Sequence, residues 1–583
     1  MNADRLLQHY ERIADAPDAI ARLRRFILDL AVRGKLVPQD PSDEPASELL
    51  KRIAKEKALL VKEGGFSSLE GSVELTKAEP FAIPASWAWC LLDDIAGIAR
   101  GGSPRPIKSF LTEDPRGIPW IKIGDSTRGT IYIDTTEERI KPEGLSRSRL
   151  VVPGDLLLSN SMSFGYPYIT NISGCIHDGW LVIRTPENHI SKLYIHRMFL
   201  SEYAKQAFSI AAAGAVVQNL NADKVRRLQV PLPPLAEQRR IVAKVDELMD
   251  LCDRLEAARA GRERSRDRLA AASLARLNAP DPETFQDDAR FALDALSALT
   301  TRPDQIKRLR QSILNLAVRG KLEPQDANDE PASELLKRIA KEKARLVKAG
   351  EIKKEKPLDP IMNQPFDLPL KWSWVRLDSL SRLITKGSSP KWQGVNYVNA
   401  DEGILFITSE NVGNQELRKL DELKYVESRF RDIEPRSMLR RGDILMNLVG
   451  ASIGRTAIFD LDKEANINQA VALVRLVEIS DGPLVQYLLQ YFNSPTAIDF
   501  MLGSRVITAQ PNMSLTDARE FPIPLPPLAE QHRIVAKVDA LMALCDRLEA
   551  SLDQTAAIRR RLLDALLAEA LAPTKDLLLR AAE

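Results

Sequence analysis

At 583 residues the chain exceeds what one hydrophobic core supports, and about three to five folding units are expected at ~100–200 residues each. Its 44% hydrophobic and 28% charged residues exclude wholesale disorder, and a formal charge of +2 means that any nucleic-acid surface must be local. No run approaches the ~20 apolar residues of a membrane span. The N-terminal stretch lacks the apolar core of a secretory signal, and the four scattered cysteines (Cys90, Cys175, Cys252, Cys545) form no CxxC pair, so a cytoplasmic chain with reduced thiols is expected.

In chain order, the first predicted element is an amphipathic helix in LRRFILDLAVRGKL at 23–36. A Pro/Asp-rich turn, PQDPSDEP, leads into a second helix beginning PASELLKRIAKEK. Residues 81–230 read as a mixed α/β insert with strand-like runs at 120–123 and 155–158, separated by Gly, Pro, Asn and Ser. Pro233 and Pro234 suit a helix start. The helix that follows carries an apolar seam, Ile241, Val245, Leu248, Cys252 and Leu255, stepping by four, three, four and three as in a coiled coil. Extended from Leu235 to Asn278, it would reach roughly 65 Å at 1.5 Å per residue. The first pattern returns at 309–322 as LRQSILNLAVRGKL, and a second mixed insert spans 365–523 with strand-like runs at 404–407 and 443–446. The last block repeats the seam as Ile534, Val538, Leu541, Cys545 and Leu548.

These returns are a duplication. Residues 32–64 match 318–350 at 28 of 33 positions, and 231–256 match 524–549 at 23 of 26. The inserts share only landmarks: Trp87-Ala88-Trp89 against Trp372-Ser373-Trp374, and Gly154-Asp155-Leu156 against Gly442-Asp443-Ile444. Drift after duplication would not spare the scaffold while rewriting the inserts. The organisation expected is 1–80, an N-terminal helical segment; 81–230, a first recognition domain; 231–364, a central helical region; 365–523, a second recognition domain; and 524–583, a C-terminal helical region.

Each seam needs an apolar partner, and the nearest in kind is the other copy, giving an antiparallel intramolecular pair with approximate two-fold symmetry. The alternative is that each helix packs only on its own neighbouring insert. The block that follows the first long helix has no counterpart after the second, so residues 1–65 are expected to fold back beside the C-terminal helix and close a circle. The fold class expected is therefore α+β: two mixed α/β domains separated by long antiparallel coiled-coil helices, pseudo-two-fold and circularly organised.

The inserts carry side chains suited to base edges and phosphates. In the first these are Arg100, Arg105, Lys108, Trp120, Lys122, Arg128, Asn160, Tyr166, Tyr168, Gln218 and Asn219. In the second they are Lys386, Lys391, Trp392, Gln393, Asn411, Asn447, Arg455, Asn468, Gln469, Arg505, Gln510 and Asn512. Arg or Lys donates to guanine O6/N7 and Asn or Gln pairs with adenine, so two divergent polar loop sets on a rigid spacer point to bipartite readout. Trp87, Trp89, Trp372 and Trp374 read as core or junction aromatics. The charge runs RAGRERSRDR (259–268) and KKEK (353–356) are either phosphate contacts or solvated helix faces.

Catalytic signatures are missing. There is no GxxxxGK[ST] loop, no glycine-rich strand-to-helix turn and no Asn/Asp-Pro-Pro-aromatic motif, and the histidines His9, His177, His189, His196 and His532 have no ligand spacing. A non-catalytic chain with no metal and no cofactor of its own is expected. Two rivals stay open: a degenerate nuclease or methyltransferase, and a coiled-coil scaffold for protein partners.

The order of PLPPLAEQ, long helix, LRxxILxLAVRGKL and EPASELL, with the Gly-Asp-Leu/Ile landmark in each insert, resembles the specificity subunits of Type I restriction-modification enzymes along essentially the whole chain. The first insert departs from the glycine spacing that the second keeps at Gly450 and Gly454. The resemblance implies double-stranded DNA as ligand, each domain reading one half of an interrupted asymmetric site. It also implies two modification subunits bringing S-adenosylmethionine, and restriction subunits using ATP and Mg for cleavage in phage defence.

Overall fold

Both copies of the repeated blocks form the helices their apolar spacing predicts in the computed structural model, which describes residues 15–64, 79–160, 164–186, 188–212, 220–278, 283–295, 299–354, 358–359, 361, 364–477, 483–503 and 512–572. The chain divides between two units, Met1–Arg262 with Thr555–Glu583, and Glu263–Gln554. Each unit thus holds the start of one repeat's long helix and the end of the other's.

In the first unit, helices α1 (Ala19–Val32) and α2 (Ala46–Gly64) precede the insert, and α3 (Lys192–Leu200) and the long α4 (Leu235–Asn278) follow its sheets. The insert leaves and rejoins the scaffold side by side. Strand β1 (Ala88–Leu91) pairs antiparallel with β12 (Gln229–Leu232), Trp89 opposite Pro231. A two-stranded neck tolerates prolines because its edges need no further ladder. Between these strands, β2 (Gly97–Arg100), β11 (Trp180–Arg184), β8 (Leu156–Ser159), β9 (Pro167–Thr170) and β5 (Tyr132–Ile133) lie in that order in one sheet. A second sheet takes β3 (Leu111–Thr112), β6 (Glu138–Ile140), β4 (Ile118–Ile121), β10 (Gly174–Ile176) and β7 (Arg149–Val151).

The apolar runs of the first sheet are continuous because both faces are covered, and alternate residues go to different cores. Leu156, Leu158, Leu181 and Ile183 pack in one core with Ile27, Leu28 and Ala31 of α1 and Leu49 and Ile53 of α2. Their neighbours Leu157, Trp180 and Val182 join Ile121, Val151 and Ile176 of the second sheet in another.

The second unit repeats this plan. Helices α5 (Pro303–Val318) and α6 (Ala332–Lys348) precede its insert, α7 (Leu484–Phe492) lies late in the insert, and the long α8 (Leu528–Leu571) follows it. Its neck is β13 (Ser373–Arg376) against β22 (Pro522–Leu525), Trp374 opposite Pro524. One sheet runs β14 (Ser381–Lys386), β21 (Val471–Leu476), β18 (Ile444–Asn447) and β19 (Thr456–Ile458). The other runs β15 (Tyr397–Val398), β17 (Lys424–Glu427), β16 (Gly403–Ile407) and β20 (Ala465–Ile467). Ile444, Met446, Ala472 and Val474 pack with Ile313 and Leu314 of α5, whereas Leu445, Val471 and Leu473 fill a core with Leu405 and Ile407 of the other sheet.

The seam expectation needs correction. Ile241, Val245, Cys252 and Leu248 lie in or against the core of the first unit, among residues of α1 and α3, and Leu255 is half-buried outside that core. Ile534, Val538 and Cys545 are buried in the core of the second unit, with Leu541 and Leu548 packed on it. The seams at the helix starts are therefore covered by scaffold and insert helices of their own units. The reason is local: each unit supplies its own amphipathic ILxLAV helix and insert helix as partner. Charges latch the same contact in each unit, Arg24 of α1 to Asp253 and Glu256, and Arg310 of α5 to Asp546 and Glu549.

The fold-back of the N-terminal block is present within the first unit. Ala16 and Ala19 bury against Leu563 and Leu566 of α8, and Arg22 pairs with Asp564. Lys35 Nζ donates to the carbonyls of Leu571 (2.9 Å) and Ala572 (2.5 Å), a cation at the helix's negative end. The chain is circularly organised, with its N-terminal block completing the repeat that its C-terminal helix begins. Among the described residues, no helix is long and apolar enough to cross a membrane.

Candidate nucleic-acid interface

The same buried junction fixes each insert to its scaffold. Trp87 Nε1 donates to Glu237 Oε2 at 2.9 Å, and Gln39 Nε2 to the other oxygen at 2.7 Å. In the second unit Trp372 and Gln325 bond Glu530 at 2.9 and 2.6 Å. Burial pushes both glutamates above the usual carboxylate range, partly offset by these donors. The first tryptophan of each landmark thus ties a recognition domain to the glutamate of PLPPLAEQ.

The Gly-Asp landmark is equally structural. Asp155 accepts from Val152 N (2.9 Å) and Arg184 Nε (2.7 Å), with Arg184 Nη2 on its second oxygen. Asp443 accepts from Arg440 N (2.6 Å), Arg475 Nε (2.8 Å) and Arg475 Nη2 (2.6 Å). One buried carboxylate per insert caps the turn into β8 or β18 and clamps the arginine of the adjacent strand bidentately.

At the opposite end of the same strands lies a feature that motif reading missed: Arg100-Gly101-Gly102-Ser103-Pro104 and Lys386-Gly387-Ser388-Ser389-Pro390. A Cβ on Gly101 would sit 2.2 Å from His177 O, and one on Gly387 1.6 Å from Ile467 O, so only glycine lets this turn cross the neighbouring loop. The basic residue before it ends a strand and is exposed in both units. Internal comparison of the inserts would have found this pentapeptide, which recurs at the 286-residue offset of the first scaffold block.

In the first unit the loop at 177–179 gathers the candidates. Arg100 Nε donates to Asp178 O (3.1 Å), Asn160 Nδ2 to the same carbonyl (3.0 Å), Ser103 to the Asp178 carboxylate, and Arg105 lies 3.6 Å from that carboxylate while 78% exposed. The Ser103 hydroxyl, then nearby His177 and Arg105, hold Asp178 below its ordinary value against a burial effect. Lys108 is exposed, and the Arg128 guanidinium stands 5.0 Å above the Tyr166 ring. Lys122 is half-buried and paired with Glu138 at 2.8 Å, which raises its pKa.

In the second unit Lys386, Lys391, Trp392 and Asn512 are exposed, while Gln393, Arg455, Asn468 and Gln469 are half-buried. Gly387 N donates to Asn468 O (3.2 Å), Leu448 N to Ala470 O (2.9 Å), and Val449 bridges Asn512. One edge of the insert thereby carries the Lys386 turn, the end of β18, the 468–470 loop and Asn512.

Burial corrects part of the candidate set. Trp120, Tyr168, Asn160, Asn411 and Asn447 are at most 4% exposed and cannot meet a base edge without repacking. Trp120 lies edge-on to His177 and Tyr168 to Trp180. Asn411 Oδ1 accepts from the amide and hydroxyl of Thr408 (3.0 Å each), and Asn447 Nδ2 donates to Ser409 O at 2.9 Å, so these amides brace loops. Gln218, Asn219, Arg505 and Gln510 lie outside the described residues, as do residues 355–356 of KKEK. In the 259–268 run, Arg302 pairs with Glu263 and Asp267, and Arg259 donates to Ala16 O at 3.4 Å, each within its own unit. Among the described residues no His/Cys/Asp/Glu group could hold a metal, and all four cysteines are buried and free.

Residues 84–260 and 369–556, each running from just before the junction tryptophan into the long helix, match the family model of the Type I restriction modification DNA specificity domain. The chain belongs to the Type I specificity-subunit family. The EcoEI specificity subunit of Escherichia coli is 32% identical over 570 residues, covering 94% of this chain and 93% of that protein. The EcoAI specificity subunit of Escherichia coli is 32% identical over 569 residues with the same coverage. The crystal structure of the HsdS subunit from Thermoanaerobacter tengcongensis aligns over 84% of this chain and 98% of that one, at 20% identity and a TM-score of 0.42. This specificity subunit thus carries two family domains on a duplicated scaffold.

Proposed function

We propose that this specificity subunit reads an asymmetric, bipartite DNA site, one half by each insert, while its long helices set the gap. The observation that carries the proposal is the repeated mount. An equivalent neck pairing, Trp-Glu-Gln junction and Asp-Arg clamp support two inserts whose exposed loops differ, which is what modular readout requires. Arg100, Arg105, Lys108, Arg128 and Tyr166 in one insert, and Lys386, Lys391, Trp392, Arg455, Asn468, Gln469 and Asn512 in the other, form the reading surfaces, with Gln393 bracing the turn that carries Trp392. Phosphate contacts from the cations set register, and the amides and arginines discriminate bases.

The chain performs no chemistry itself in this reading. Two modification subunits bring S-adenosylmethionine and dock on the scaffold, and restriction subunits using ATP and Mg join for cleavage in the cytoplasm. The test replaces residues 81–230 with the matching domain of a relative and maps methylated sites of the assembled complex. One half-site should change; a change in both or in neither sinks the proposal.

A further inference from the structure

Of the seven tryptophans, six are buried or half-buried, and Trp392 is 73% exposed. It is displayed, not loose. Residues Pro390–Gln393 form a single 3-10 turn closed by Gly394 in the left-handed region (φ 65°), with Trp392 N bonded to Ser389 O (3.0 Å) and Val395 N to Pro390 O (2.9 Å). Gln393 Nε2 pins the turn to Ser388 Oγ (2.9 Å) and Glu434 Oε1 (3.1 Å), Arg429 holds the Gly394 carbonyl, and Pro390 is buried. A rigid turn therefore holds an indole in water, directly after exposed Lys391 and six residues after exposed Lys386.

The other insert is an internal control. Aligned on the shared pentapeptide, Lys391 corresponds to Arg105 and Trp392 to Pro106. Both inserts thus place a cation at this point, and only the second adds an aromatic plane. A flat apolar side chain on a fixed mount beside cations suits a nucleobase face that becomes available when a base step opens, with the cations on the flanking phosphates.

We infer that Trp392 is a wedge that stacks on a base within the DNA half-site of the second insert, unstacking one step there, with no equivalent in the first half-site. The inference rests on the reading of the inserts as DNA-recognition domains. The test uses the full chain assembled with its modification subunit, saturating duplexes that carry the methylation-mapped site. 2-Aminopurine is placed singly through both half-sites, leaving the methylated adenines and the bases next to them unsubstituted, because a methyltransferase that flips its target base unstacks those neighbours itself. The wedge predicts brightening at one step of the second half-site and none in the first. Trp392→Ala should abolish that brightening and weaken binding on the order of tenfold, while Trp392→Phe keeps most of both. No brightening in the second half-site, brightening that survives Trp392→Ala, or equal loss in Trp392→Phe and Trp392→Ala would overturn the wedge. If the wild-type complex prefers no duplex over any other, the recognition reading itself fails, a result separate from a bound but unwedged site.

Discussion

His196 is expected to give the first unit an acid sensitivity through a position that carries no titratable group in the second repeat. It sits in α3 at 1% exposure, and burial, reinforced by neighbouring Arg197, lowers its pKa to about 3 against a partial offset from the Pro167 backbone. The unfolded chain takes a proton near pH 6.5, but the folded unit does not until about pH 3. Stability is therefore full above pH 6.5 and lost as pH falls through that window. The loss follows RT ln(1 + 10^(6.5 − pH)), about 2 kcal/mol by pH 5. The second repeat supplies the control residue: matching Tyr194 to Tyr487 and Phe199 to Phe492 puts Leu489 at the position of His196. Urea unfolding at pH 7.5 and pH 5, comparing wild type with His196→Leu, should show the wild type losing about 2 kcal/mol more in its first unit. Equal losses in the two proteins would refute the reasoning.

The clamp predicts that Asp155→Asn and Asp443→Asn, each leaving a half-buried arginine without its carboxylate, cost ~3–5 kcal/mol in the unit that holds them, measured by chemical denaturation. Leu563→Ala, which empties the contact with Ala16 and Ala19, should cost ~2–5 kcal/mol and loosen the N-terminal block to proteolysis. A circular permutant that joins Met1 to Glu583 through a short linker and opens the chain near residue 300 should keep its methylation specificity, and loss of specificity would count against circular closure. A few residues inserted after Leu255 should change the gap in the methylated site and leave both half-sites as they were, as read by methylation mapping.

The scaffold was legible because duplication preserves pattern. The helix expected from Leu235 to Asn278 has those bounds, and the strand-like runs at 155–158 and 443–446 lie one residue from β8 and β18. Partner choice was not legible. A four-three seam specifies an apolar stripe without saying what covers it, and α1 and α5 cover what the other long helix was expected to cover. Base-reading candidates were half legible for a related reason. Residue type marks Asn160, Asn411 and Asn447 as able to bond a base, but only the fold shows those amides spent on loop carbonyls and hydroxyls. The Asp155–Arg184 and Asp443–Arg475 pairs join residues 29 and 32 positions apart, beyond any local pattern, although their recurrence in both inserts was available to internal comparison.

Two inserts on equivalent mounts should read independently. The most direct measurement places the second insert on both mounts, replacing residues 88–232 with 373–525 at the two necks, and maps the sites methylated by the assembled complex. The second half-site is expected on both sides of the gap; retention of the original first half-site, or a site unrelated to either, would overturn independent reading.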